Sequence, residues 1–204
     1  MGTHLDLFKE HIRVIHEEGF KIASRITAPE NQVCIMFDDG FNGVWECREY
    51  FYENNICPTI FLPVEYIGKA ENGILTEPQI LELQAHGFCF ECHGWSHKVL
   101  TEFNDRELER ELTESKKFLG KMLSKEITGI CMPLGYFSSH LLMKIKEAGY
   151  THIYSCLPGN YYDAPLGLLT RNLCQSATPW ELRMILRGGN ELLKHRYLSM
   201  HQLG

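Results

Sequence analysis

Apolar residues fall along this chain in two alternating rhythms. Leu5, Phe8, Ile12 and Ile15 recur at three- and four-residue spacing and predict an amphipathic first helix, with Gly19 placed to end it. Val33-Cys34-Ile35-Met36-Phe37 is instead a continuous apolar run, the pattern of a strand buried on both faces. The succession then repeats, with a helix over 44–55 and a strand over 59–62. A helix opened by Thr76-Glu77-Pro78 and closed at Gly87 leads into a strand over 88–92. Asn104-Asp105-Arg106-Glu107 has capping-box spacing ahead of the stripe Leu108, Leu112, Leu119 and Met122. A strand over 127–132 follows, then a helix capped by Ser138 or Ser139 and stopped at Gly149. Strands over 151–156 and 168–174 come next, the longest loop (158–165) between them, and Thr178-Pro179-Trp180-Glu181 starts a further helix. Strands alternating with helices imply parallel pairing through right-handed crossovers, an α/β fold. The 204 residues read as one domain, 1–204, long enough to bury a substantial core.

Polar clusters stand where apolar runs stop, so in a parallel architecture they converge at the carboxyl ends of the strands. Asp38 and Asp39 are adjacent and would face opposite sides of a regular strand. Both reach one site only if the strand ends there, and Gly40 permits the necessary turn. In isolation such a pair would be a solvated turn; at the end of a buried run it is a site candidate. His93-Gly94-Trp95-Ser96-His97 adds two imidazoles four residues apart, a spacing that lets both rings face one point. Two imidazoles and one carboxylate hold a divalent metal with positions left open, which suits zinc among the first-row metals. A second carboxylate is then free to act as a base. Metal-assisted hydrolysis is the chemistry this set supports. Pro133-Leu134-Gly135-Tyr136 is either a plain strand-to-helix turn or a source of a backbone N–H, near Tyr136, for an oxyanion.

Composition narrows the partners. A formal net charge of −6 argues against a general polyanion binder, so nucleic acid is not an expected partner. The eight cysteines lie mostly in apolar runs and read as buried free thiols in a reducing compartment rather than as a disulfide scaffold. The start, Met1-Gly2-Thr3-His4-Leu5-Asp6, lacks a basic segment followed by a long apolar one, and no stretch reaches membrane-spanning length. A soluble, cytoplasmic chain is the expectation.

The three clusters together resemble the NodB-homology polysaccharide deacetylases of carbohydrate esterase family 4. Phe-Asp-Asp-Gly at 37–40 is similar to the first motif of that family, and His-Gly-Trp-Ser-His at 93–97 to its His-(Ser/Thr)-x-x-His second motif. Met-Pro-Leu-Gly-Tyr at 132–136 matches much of the third. The resemblance implies a distorted (β/α) barrel, a divalent metal that is usually zinc, and hydrolysis of an N-acetyl or O-acetyl group on a sugar. It implies Asp38 as general base toward a metal-bound water, and Asp39, His93 and His97 as metal ligands. Tyr136 would supply its backbone N–H to the oxyanion, while Trp95, Pro133 and Tyr136 would line the acetylated glycan. Tyr161, Tyr162 and Trp180 are further aromatics that either stack on a sugar ring or, as is commoner at such positions, pack in the core.

Two departures stand out. The family often carries an arginine two positions before the third-motif proline, where this chain has Cys131; Arg171 is the expected replacement in orienting the base. The late Leu-x-His motif has its nearest match in Leu198-Ser199-Met200-His201, which makes His201 a candidate general acid, with a frayed chain end as the alternative. Cys89-Phe90-Glu91-Cys92 has zinc-knuckle spacing but reads as buried thiols, and Glu91 either supports a metal-bound histidine or faces outward. The expected function is removal of an N-acetyl group from a polysaccharide, oligosaccharide or glycan precursor. An O-acetyl esterase and a non-catalytic glycan-binding homologue are the alternatives.

Overall fold

The structure, a computed structural model, describes residues 3–28, 30–161 and 165–203. Helix α1 (Leu5–Glu17) buries Phe8, Ile12, Val14 and Ile15, so its apolar stripe faces the core. Two short parallel strands, β1 (Lys21–Ile22) and β2 (Gln32–Val33), precede the main sheet. That sheet runs in chain order, all parallel: β3 (Met36–Phe37), β4 (Thr59–Leu62), β5 (Cys89–Cys92), β6 (Gly129–Cys131) and β7 (His152–Tyr154). Parallel neighbours in sequence order need a crossover each, and the helices supply them. Between β3 and β4 lie α2 (Gly43–Glu46) and α3 (Arg48–Glu53); α4 (Glu77–Ala85) precedes β5. Before β6 come α5 (Asp105–Leu108), a π-helical turn (Glu109–Glu114) and α6 (Ser115–Leu123), and α7 (Ser139–Glu147) follows β6. Helices α8 (Pro179–Leu186) and α9 (Lys194–His201) follow β7. The result is a curled parallel half-barrel wrapped by helices, the distorted (β/α) barrel that the sequence resemblance implies.

Local sequence explains most boundaries. Asn104 Oδ1 accepts hydrogen bonds from the N–H groups of Arg106 and Glu107, while Glu107 Oε2 accepts the Asn104 N–H at 2.9 Å, a reciprocal cap. Thr178 and Glu181 do the same at α8, and Ser138, not Ser139, caps α7 by accepting from Leu141 N–H. Three expected elements differ. The apolar run 33–37 is two short strands, because the chain leaves β2 at Cys34 and Ile35 before joining β4, whose Thr59 N–H donates to Ile35 O. The helix over 44–55 breaks at Cys47. The strand expected over 168–174 is reduced to a bridge of Leu169 with Tyr154. Leu169 pairs normally, but Arg171 N–H moves on to Leu157 O while the Arg171 side chain takes Ser155 O through Nε at 3.1 Å. A side chain thus occupies the acceptor that a continued ladder would use.

Period two decides what meets inside the curl. On β4, Ile60 and Leu62 pack toward the helices, in a core shared with Phe90, Leu119, Ile130 and Ile153. Phe61 points the other way, into an interior cluster with Cys131 and Tyr154 backed by Met36, Tyr161 and Leu169. Each fully buried aliphatic or aromatic side chain of this kind contributes about 1.5–3 kcal/mol of transfer free energy. Among the described residues no helix is long and apolar enough to cross a membrane.

Candidate active site

The same alternation carries polar groups inward at the carboxyl end. His93 continues the inward phase of β5 and is 2% exposed. Its Nδ1 lies 2.7 Å from Cys131 O. A carbonyl only accepts, so Nδ1 carries the proton and Nε2 presents its lone pair to the site. Burial, the largest influence, pushes the His93 pKa down and keeps the ring neutral, the form that a metal ligand requires. Asp39 Oδ1 lies 3.6 Å from His93 Nε2 and 2.8 Å from His97 Nε2, and the two rings are 5.1 Å apart. The Asp39 contact, ahead of an opposing effect of burial, raises the His97 pKa. His97 Nδ1 faces the Tyr66 hydroxyl at 3.4 Å.

These groups converge because the backbone is bent where they sit. Asp39 has φ 70° and His97 φ 59°, in the left-handed region that non-glycine residues seldom occupy. At Gly40, φ is 71° and an added Cβ would stand 2.6 Å from Leu62 Cδ2, so both conformation and space demand glycine. The turn solves the adjacency problem of the two aspartates: Asp38 keeps the inward phase of β3 and Asp39 is swung round to join the histidines.

The residues present fit a divalent metal. One oxygen of Asp39 and one nitrogen from each of His93 and His97 lie within 4.8 Å of one another. Asp39 Oδ1 is buried without a hydrogen-bond partner in spite of its short contact to His97, which is the condition of an acceptor aimed at something other than a proton. Oxygen with two imidazoles is a donor set that zinc accepts.

Asp38 stands beside this triad and belongs to a different network. Arg171 grips it with both arms, Nη1 to Oδ1 at 2.7 Å and Nη2 to Oδ2 at 3.0 Å. Arg171 is itself held by Ser155 O, lies over the Phe61 ring at 5.2 Å, and places Nη2 2.9 Å from Cys131 Sγ. Burial is the largest single influence on Asp38 and opposes its ionisation. The charge and hydrogen bonds of Arg171, with smaller help from His93 and His97, outweigh it and hold the Asp38 pKa below the usual aspartate value. The thiol at position 131 is pushed far up by burial, so Cys131 is a neutral neighbour of the guanidinium and makes no ion pair with it.

The turn after β6 completes the rim. Leu134 has φ 58° and Gly135 φ 76°, and among the described residues the Tyr136 N–H makes no backbone hydrogen bond. The Tyr136 ring lies 5.4 Å from that of His201, and His201 Nδ1 donates to Tyr197 O at 2.9 Å. His201 is therefore packed beneath this turn and is not frayed. Pro133 is buried. The Trp95 ring is turned onto the helix layer, with Arg110 over its face at 4.7 Å and Phe118 edge-on. Trp180 is exposed on α8, Tyr161 packs in the barrel interior, and Tyr162 lies outside the described residues. Glu91 neither supports a histidine nor faces outward: it is buried at the opposite end of the strands, accepting from Thr128 and Gly129 N–H. Tyr66 and Glu111, the latter bonded to the His93–His97 loop, are site neighbours that motif spacing does not single out. Only a polar residue on the otherwise apolar face of Leu108 and Leu112 signals Glu111 in the sequence.

Comparisons with known proteins bear on the fold and on the family. The YxkH protein of Bacillus subtilis (strain 168), itself classed with the polysaccharide deacetylases, is 26% identical over 163 residues, 74% of this chain; the chain spans 58% of that relative's length. The Streptococcus pyogenes deacetylase PplD, solved in complex with acetate, superposes with a TM-score of 0.80 at 19% identity, covering 90% of this chain and 87% of PplD. IcaB from Ammonifex degensii gives 0.74 at 15% identity, covering 89% of this chain and 88% of IcaB. At such identities these structures establish the fold. Residues 25–153, which carry both the aspartate pair and the histidine pair, match the polysaccharide deacetylase family, and the chain belongs to that family.

Proposed function

We propose that this protein is a metal-dependent hydrolase that removes an N-acetyl group from a sugar of a glycan or glycan precursor. The observation that carries the reading is the pairing of two sets of groups at one end of the barrel: a carboxylate clamped by Arg171, and a separate Asp-His-His cluster with an orphaned acceptor oxygen. Asp39, His93 and His97 would hold the divalent metal, zinc by its donor set, which when bound supplies Lewis acidity toward the acyl carbonyl and toward water.

The remaining work falls to the chain. Asp38, kept ionised by Arg171, takes a proton from the attacking water as its oxygen bonds to the acyl carbon. Arg171 spends two donors on the carboxylate and one on Ser155 O, so it fixes the direction of the Asp38 oxygens without competing for the proton. The Tyr136 N–H is the free donor positioned at the rim for the developing oxyanion. Cleavage of the carbon–nitrogen bond requires that the amine leave protonated. His201, whose ring lies 5.4 Å from that of Tyr136, is the candidate donor: with Nδ1–H committed to Tyr197 O, it would act as the imidazolium and pass the proton on Nε2 to the amine.

The test is acetate release from N-acetylated and O-acetylated oligosaccharides by zinc-loaded protein, beside Asp38→Asn at matched folding and metal content. Release from N-acetyl substrates that Asp38→Asn lowers by roughly 10²- to 10⁴-fold is the expected result. Release from esters alone would replace the proposal with an esterase. Bound glycan without turnover would make the protein a binding homologue.

A further inference from the structure

The loop that carries both histidines is held from two sides. On one side the N–H groups of Val64 and Glu65 donate to Gly94 O and Trp95 O, at 3.2 and 2.9 Å. On the other side a single side chain closes it. Glu111 Oε2 accepts the N–H of Trp95 at 2.7 Å and of Ser96 at 3.1 Å, and Oε1 accepts the Ser96 hydroxyl at 2.6 Å. Glu111 is 4% exposed and has no ion-pair partner among the described residues. A buried carboxylate so placed is balanced only by N–H and O–H dipoles, an arrangement that is costly unless it does something for the loop.

We propose that Glu111 is a positioning residue for the metal centre, its carboxylate locking the 93–97 loop in the strained turn that brings the His97 imidazole up to Asp39 and His93. The inference rests on reading Asp39, His93 and His97 as the metal ligands. Its physical basis is the backbone between them. Gly94 has φ 77° and His97 φ 59°, so the turn contains two left-handed positions, and one of them is not glycine. Such a turn persists only where its surroundings over-determine it. Among the described residues Glu111 is the one acceptor these donors have on that side, and the fit is tight enough that a Cβ at Gly94 would stand 3.0 Å from Glu111 Oε2. The carboxylate is delivered by the π-helical turn, Glu109–Glu114, whose own carbonyls at Glu111 and Leu112 are taken by the hydroxyls of Ser115 and Tyr150. Single π turns of this kind are frequent at functional sites.

Glu91 provides a control that differs in one respect, its ion pair with Lys125 Nζ at 3.5 Å. It too is a buried carboxylate accepting two backbone N–H groups, but those belong to Thr128 and Gly129 at the amino end of β6. The experiment measures zinc affinity of the apoprotein by competition with a chromophoric chelator, and the visible spectrum of the cobalt(II)-substituted protein, for wild type, Glu111→Ala, Glu111→Gln, Glu91→Ala and His97→Ala. Glu111→Ala is expected to weaken zinc binding by roughly 10- to 100-fold and to alter the cobalt spectrum. Glu111→Gln keeps an acceptor for the two N–H groups and should fall between it and wild type with a near-native spectrum. Glu91→Ala should lose stability but bind zinc as wild type does. Native affinity and spectrum in both Glu111 variants would overturn the inference, as would an equal loss in Glu91→Ala. If Glu111→Ala does not fold, the Gln variant decides, through a weakened affinity or none. A wild type that binds no more zinc than His97→Ala would instead overturn the metal reading, and this inference with it.

Discussion

At the amino end of the strands Glu91 accepts two backbone N–H bonds, and at the carboxyl end Glu111 accepts two more. The two carboxylates are alike in burial and in accepting two backbone N–H groups, but Glu91 also pairs with Lys125 Nζ at 3.5 Å where Glu111 takes the Ser96 hydroxyl, and they differ in the backbone they hold. Glu91 holds the start of β6, a regular strand, in a packed interior. The packing at Gly129 is tight, since a Cβ there would lie 3.1 Å from the Tyr154 ring and 3.2 Å from Glu91. The nearby cavity, among Met36, Thr59, Cys89 and Tyr161, has a volume of about 20 Å³, space for one water and no substrate. The Cys34 thiol at that end is quiet, because burial pushes it up to about 11. Glu111 holds a turn with left-handed residues, beside an aspartate oxygen without a hydrogen-bond partner. The same chemical device thus serves stability where the backbone is regular and serves a site where it is strained. A buried charge cannot be read as structural or functional until the segment it secures is known.

The comparison can be broken by substitution. The largest effect is expected at the carboxyl end. Arg171→Ala should lower deacetylation by roughly 10²-fold through a misplaced Asp38. Arg171→Lys should recover only part of it, because an ammonium cannot grip both carboxylate oxygens. Steady-state rates at matched metal content check this, and a lysine variant as active as wild type would sink the bidentate argument. The pair also carries a pH signature. Asp38 has its folded pKa below the unfolded one, so its contribution to stability is present above the ordinary aspartate value of about 3.9 and is lost as pH falls through the depressed value. The stability gap between wild type and Arg171→Ala should therefore narrow in acid.

Next in size is the amino end. Glu91→Ala leaves the Thr128 and Gly129 N–H groups without an acceptor and should cost about 1–3 kcal/mol in urea unfolding, with activity per folded molecule unchanged. A loss of turnover there would erase the distinction between the two ends. Smallest is a change remote from both: Asn104→Ala removes the cap of α5 and should cost about 1 kcal/mol, read as a lowered thermal midpoint with native zinc affinity. If that affinity fell, the π-helical turn that follows α5 would be transmitting cap strain to Glu111.

Much of this was legible before any coordinates. Helix starts were, because a cap is a contract between residues three apart: Asn104 with Glu107, Thr178 with Glu181. The strand over 59–62 was, because an unbroken apolar run has one comfortable home. Strand 168–174 was not, since Arg171 has strand-compatible neighbours and only the presence of Ser155 O within its reach ends the ladder. The break at Cys47 has no breaker residue to announce it.

By itself the sequence determined the order of parallel units, the family and the short motifs that bring carboxylates and imidazoles to strand ends, because those depend on period, capping and spacing over a few residues. Arg171 was the expected partner of the base, but tertiary structure alone decided that it grips Asp38 with both arms across 133 positions, that Trp95 turns to the helices, and that Glu111 and not Glu91 serves the histidine loop. Such pairings depend on how far the sheet curls and where a helix winds as π. Those are properties of packed neighbours, on which no local stretch of residues reports.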